Sequence, residues 1–347
     1  MDRTPRVSVL MPVFNGTRYL HEAIGSILDQ TFTDFEFIIV DDGSTDHSMH
    51  IAQACGDIRV RVITLSHVGL VAARNRALSE ARGKYIAWMD ADDVSHPDRL
   101  SKQVVFMESH PHVVMLGTWA RLIEADGRAS GVSAMPPATG RSLYVALCAS
   151  NQFINGSTMM RRNVACAVGG YRPEFVVAED YDLALRLVEI GHLANLTENL
   201  YRLRVYAAST TARIGDEEVA RYTRRAQQCA LQRYFRGRDY IGYKLPPWLS
   251  ISTTEGVPHV IGMDAVTRSD WAQIALLQGQ FALCFRILYR STIQPRLTFA
   301  PSLLLPHSMT KAYWREVLRA FAQGTWQQAG CAKVRRTYRR ILERASA

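Results

Sequence analysis

Cysteine is scarce in this chain and nowhere gathered. Its six cysteines, at 55, 148, 166, 229, 284 and 331, form no CxxC pair and no short-range cluster. That spacing excludes a zinc ribbon or a disulfide scaffold and points to a reducing compartment. No Gly-rich basic loop follows the first apolar run, so the usual phosphate cradle of a nucleotidyltransferase is missing. GxGxxG is missing from the same place, which excludes the common form of a dinucleotide-dependent oxidoreductase. Long apolar runs are also lacking. The uncharged stretch from Ser142 to Met160 is broken by Ser150, Asn151, Gln152, Asn155 and Ser157, and it cannot span a bilayer. Val7 to Phe14, ended by Asn15, is too short for a signal peptide. The sequons at Asn155 and Asn195 are then incidental, because glycosylation needs a secreted chain. There is no internal repeat and no low-complexity tract.

What is present is an ordinary globular composition over 347 residues, 48% hydrophobic and 21% charged, enough for about two domains with a core in each. The net charge of +9 is unevenly placed. Residues 281–347 hold twelve Lys and Arg against Glu316 and Glu343, whereas residues 1–280 hold 29 basic and 30 acidic groups. A nearly neutral body is therefore joined to a basic tail.

The body alternates strands and helices. Arg6 to Phe14 is a β-rich apolar run; Leu20, Ala23, Ile24, Ile27 and Leu28 then fall on one helical face. Phe35 to Val40, Arg59 to Leu65 and Tyr85 to Met89 read as further strands, with a helix between Val68 and Arg82. Glu179 to Ile190 reads as a helix stopped by Gly191, and long helices follow over Glu217 to Arg236 and Trp271 to Tyr289. This alternation predicts an α/β fold, an open and mostly parallel sheet flanked by helices, followed by a helical C-terminal extension. Ligands of such sheets sit at the carboxyl ends of the strands. The polar clusters fall there: Asn15, then Asp41 and Asp42, then Asp90, Asp92 and Asp93. Crowded carboxylates repel, so a cation is expected among them, and hard oxygen ligands suit Mg²⁺ or Mn²⁺ with phosphate oxygens completing the shell.

Pro12-Val13-Phe14-Asn15, Val40-Asp41-Asp42-Gly43-Ser44-Thr45-Asp46, Gly69 to Asn75, Asp90-Ala91-Asp92-Asp93 and Glu179-Asp180-Tyr181-Asp182 resemble, in order and spacing, the family 2 glycosyltransferases of the Rossmann-like GT-A fold. The likeness covers about residues 5 to 210. It implies a catalytic domain over 1–212, an extension over 213–347, and inverting transfer of a sugar from a nucleotide-diphosphate donor to an acceptor hydroxyl. By the same resemblance Pro12, Phe14 and Asn15 belong to the nucleotide-sugar site, with Phe14 packing on the base. Asp41 or Asp42 accepts a base imide hydrogen. Core packing for Phe14 and a turn or cap for the acids are the competing structural roles. Arg74 and Asn75 resemble the element beside the phosphates, and a solvated helix face is their alternative. Asp90 and Asp92 match the DxD signature that meets the ribose and a divalent ion, with Asp92 the metal ligand. Asp93 reads as a cap for a helix near His96-Pro97.

Asp180 resembles the general base, kept ionised by a helix N-terminus. Glu179 and Asp182 read as acids matched to the helix dipole, with Glu179 also placed on the acceptor side. Gly156 and Ser157 resemble acceptor-side loop residues, and Gly169-Gly170 either join them or serve a turn. Relatives often carry His where Tyr201-Arg202-Leu203-Arg204 has Arg204. A guanidinium cannot ligate a metal but can bind diphosphate oxygens, or Arg204 faces solvent.

The tail interleaves Trp314, Phe321, Trp326, Tyr338 and Ile341 with basic residues. It suits an anionic membrane surface beside a saccharide or lipid-linked acceptor, or a bundle packed on the catalytic domain. No nucleic-acid motif is present. The expected role is a transferase of cell-surface polysaccharide or lipopolysaccharide assembly, cytoplasmic and peripheral on the inner membrane face. A noncatalytic sugar-nucleotide-binding or scaffolding protein and a nucleotidyltransferase are the competing classes.

Overall fold

In the computed structural model the structure describes residues 4–207, 209, 213–236, 239 and 241–243. The predicted helix at Trp271 to Tyr289 and the basic tail lie outside them.

The described chain runs β1 (Val7–Val13), α1 (Thr17–Leu28), β2 (Phe35–Asp41), α2 (Ser48–Ala54), β3 (Val60–Thr64), α3 (Leu70–Glu80), β4 (Tyr85–Trp88), β5 (Val94–Ser95), α4 (Arg99–Ser109) and β6 (Val113–Ile123). It continues through β7 (Ala129–Ala134), α5 (Gly140–Ala149), a 3₁₀ turn (Asn155–Ser157), β8 (Met159–Arg161), α6 (Arg162–Ala167), α7 (Glu179–Leu187), β9 (His192–Arg204) and α8 (Asp216–Arg236).

β1 and β2 are buried along their whole length, because helices cover both faces of a parallel sheet and select near-continuous apolar runs. Two polar exceptions within them, Ser8 and Glu36, satisfy each other. Ser8 and Glu36 are register partners, the Ser8 hydroxyl donates to Glu36 at 2.6 Å, and Arg82 donates backbone and side-chain N–H to the same carboxylate. The sheet order is β3-β2-β1-β4-β8-β6-β9-β5, with β7 on β6. The first four strands pair in parallel; β8 then runs antiparallel to β4 and β6, while β9 is parallel to β6. The sheet is thus parallel in its first half and mixed in its second, since the connection from β6 to β8 reverses direction instead of crossing over. α8 packs on α7. Among the described residues no helix is long and apolar enough to cross a membrane.

Candidate active site

The loops after β1 and β2 are fastened to one another. Asn15, at φ 51°, donates its backbone N–H to the Ser44 hydroxyl and accepts from Thr45 N–H at 2.8 Å through its side-chain carbonyl. Asp46 accepts from Thr17 N–H with one oxygen and from Ser48 N–H with the other, so a single carboxylate caps α1 and α2 together. Burial raises its pKa, but the hydrogen bonds from Ser48 and Thr17 outweigh that and lower it to about 2. Pro12 is buried in β1 opposite Val40, one residue before the end of the strand. Phe14 is exposed and stacks on His67, ring centres 4.1 Å apart, so the core role is excluded.

The adjacent acids divide their work. Asp42 accepts from the N–H groups of Val68 and Gly69 at 2.7 and 2.8 Å, which fixes the approach to α3. Asp41 accepts from Ser44 N–H through one oxygen, and its other oxygen is buried without a partner. A buried orphan acceptor is costly unless a ligand supplies a donor.

Arg74 links α3 to α7 and to the loop after β4. It is buried, donates to Glu179, and lies 3.7 Å from Asp90. Asn75 beside it clasps both backbone groups of Tyr171 at 2.7 and 2.9 Å. A side chain at Gly170 would collide with Asn75, which assigns Gly170 to this turn. The solvated helix face is therefore excluded for both residues. Asp90, Glu179 and Asp180 share the Arg74 charge. Burial raises Asp90 to about 6 and Glu179 to about 7, in each case opposed by Arg74 and reinforced by the neighbouring carboxylates. Burial also raises Asp180, against Arg74 and hydrogen bonds from Tyr181 N–H and Asn151. The first-turn amides of α7 at Asp180 and Tyr181 thus favour the ionised form, and burial opposes them.

Several expectations are corrected here. Glu179 and Asp182 are not solvated dipole acids: Glu179 pairs with Arg74, and Asp182, wholly buried, is gripped by Arg172 and Arg186. Asp93 does not cap a helix; it is buried and accepts the Arg204 backbone N–H at 2.7 Å. Arg204 does not face solvent. Its guanidinium donates to the Asp92 carbonyl at 2.7 Å, to the Glu124 and Ala125 carbonyls, and to Glu22 at 2.6 Å, with Tyr19 stacked beneath. It braces the Asp90–Asp93 loop from behind. Ser157 is wholly buried; its hydroxyl donates to the Ile154 carbonyl and accepts Thr118 N–H. Gly156 is required as glycine because a methyl group would strike Tyr201 and the Asp90 carboxylate.

Tyr206, Tyr201, Arg99 and Asn151 escaped the sequence reading. The Tyr206 hydroxyl donates to Asp92 at 2.9 Å, the Tyr201 hydroxyl accepts Asp90 N–H at 3.2 Å, and buried Arg99 donates to the Trp88 and Gly156 carbonyls. Only Tyr201 carried a signal, as the first residue of the Tyr-Arg element.

A model of glycosyl transferase family 2 matches residues 8–167. EpsE of Bacillus subtilis, a glycosyltransferase by name, is 37% identical over 211 residues, 59% of this chain and 74% of EpsE. The chain belongs to glycosyl transferase family 2. The O-antigen biosynthesis protein RfbC of Myxococcus xanthus is 30% identical over 61% of this chain but only 17% of its own length. Among solved structures, S. aureus TarS 1–349 in complex with UDP-GlcNAc matches with a TM-score of 0.54 at 20% identity, covering 65% of this chain and 66% of that one. The same TarS fragment with UDP matches with a TM-score of 0.53 at 18% identity over 85% and 94%. At these identities the likeness is one of fold, and it agrees with the family 2 assignment.

Proposed function

We propose that this family 2 chain transfers a sugar from a nucleoside-diphosphate donor to an acceptor hydroxyl with inversion, in polysaccharide assembly. The observation that carries the reading is Arg74. One buried cation touches Glu179 on the first turn of α7 and lies beside Asp90 at the end of β4, so a base on α7 and a diphosphate site after β4 share one cleft. Phe14 offers an exposed aromatic face to the base, and the orphan oxygen of Asp41, not the spent carboxylate of Asp42, is the acceptor for a base N–H. Asp180 takes the acceptor proton as the hydroxyl attacks the anomeric carbon opposite the departing diphosphate.

The donor set suits Mg²⁺ or Mn²⁺ held by few protein ligands. Among the described residues no group of three or more His, Cys, Asp or Glu forms a closed metal cage, whereas Asp92 keeps one carboxylate oxygen while Tyr206 occupies the other. A divalent ion there would offset the charge that grows on the leaving diphosphate. Names of relatives such as RfbC support a place in polysaccharide assembly, and the excess of ten positive charges in residues 281–347 supports docking on anionic lipid.

Asp180→Asn should keep donor-induced stabilisation yet lose transfer by about 10² or more, read as diphosphate release from a panel of nucleotide sugars with Mn²⁺. Normal turnover by this variant refutes the base assignment. Truncation after residue 280 should reduce sedimentation with anionic vesicles; unchanged binding removes the membrane reading.

A further inference from the structure

The Asp180 carboxylate is held at both oxygens. Oδ1 accepts the Tyr181 backbone N–H at 2.7 Å, and Oδ2 accepts the Asn151 side-chain N–H at 2.9 Å. The Asn151 amide has its orientation set from its other end, where its carbonyl accepts Phe153 N–H at 3.0 Å. Asn151 lies two residues past the end of α5, and that end is itself anchored. The last carbonyls of a helix have no intrahelical donor. Here they take donors from other elements: the Tyr181 hydroxyl donates to the Leu147 carbonyl at 2.6 Å, while Gln227 of α8 donates to Cys148 and Ala149 at 3.1 and 3.0 Å. Gln227 is buried and also reaches the Tyr181 hydroxyl at 3.3 Å.

We propose that Gln227 and Asn151 are positioning residues for Asp180, Gln227 by fixing the end of α5 and Asn151 by holding the carboxylate. α8, outside the span matched by the family model, would then belong to the catalytic apparatus. The inference rests on Asp180 being the base. The physical need is competition. Arg74 acts on Asp180 from α3 while Asp90, Glu179 and Tyr171 surround the same space. A carboxylate released from Asn151 can turn toward Arg74, where an ion pair replaces readiness to accept a proton. Held by Asn151, each oxygen still keeps a lone pair for an incoming hydroxyl.

The test is a double-mutant cycle in the full chain, with the nucleotide sugar that gives most diphosphate release in a panel. Asn151→Ala should lower kcat about tenfold or more with donor KM and donor-induced melting shift unchanged. Asn151→Asp, which keeps the shape but loses the donor, should be at least as slow. Gln227→Met should lower kcat several-fold, and the double variant should be no slower than Asn151→Ala alone, because Gln227 acts through Asn151. Wild-type kcat in both Asn151 variants, or effects that multiply in the double variant, would overturn the relay. Asp180→Asn run in parallel separates the two failures. If it turns over normally, the base reading falls; if it is dead while Asn151→Ala is fast, only the relay falls.

Discussion

The two walls of the cleft are built by different forces. On the proposed donor side, short polar side chains reach backbone amides across neighbouring loops: Asn15 to Thr45, Asp46 to Thr17 and Ser48, Asp42 to Val68 and Gly69. On the proposed base side, α7 is held by buried charge. Asp182 joins Arg172 and Arg186, Asp239 joins Arg172 and Arg233, and Glu189 joins Arg233, with three acids facing three guanidinium groups. The Tyr243 ring lies within 5.8 Å of all three guanidinium carbons. The donor wall can lose one bond and let water replace it. The base wall cannot, because a charge stripped of its partner there stays buried.

Asp182→Ala is the harshest way to break this contrast. It leaves Arg172 and Arg186 short of a counter-charge and should cost about 3–5 kcal/mol in urea unfolding. Asp46→Ala, which removes a cap on the exposed donor side, should cost about 1 kcal/mol. Equal losses would mean that the two walls are not held differently. Arg204→Lys is the next largest, because an ammonium cannot reproduce four directed bonds. About 1–3 kcal/mol of stability should go, with donor binding weakened only as the Asp90–Asp93 loop loosens. Lost donor affinity at unchanged stability would instead make Arg204 a diphosphate ligand.

The smallest effect is titration. The Glu179 carboxyl is raised from 4.5 to about 7 by burial, so folding favours its protonated form. That stabilising increment is complete below about pH 4.5 and is lost as pH rises through about 7. Melting temperatures measured from pH 5 to 8 should therefore decline less steeply in Glu179→Gln than in the parent chain. Parallel curves would place no titration at Glu179 in that window.

Much of the donor wall was legible before any coordinates, because its parts are contiguous: an apolar run, then the acids that end it. Phe14, Asp41 and Arg74 could each be named as candidates from the resemblance those segments carry. The fate of Arg204 could not. Its partners Glu22, Asp92, Glu124 and Ala125 are up to 182 residues away, and nothing in Tyr201-Arg202-Leu203-Arg204 says that four acceptors converge behind it. The role of Gln227 was hidden for the same reason, since one glutamine on an amphipathic helix has no local mark of the carbonyls it will meet.

Local pattern marked the first four strands, several of the helices and the strand ends where acids gather, and motif resemblance marked the family, because each depends on side chains close together along the backbone. Tertiary structure alone decided which of two adjacent aspartates keeps a free oxygen and which charges are buried in pairs. It also decided that residues beyond 212 pack on the helix bearing Asp180. Burial and hydrogen-bond saturation are properties of neighbours in space, and the neighbours here come from chain segments that meet only when the sheet and its helices close together.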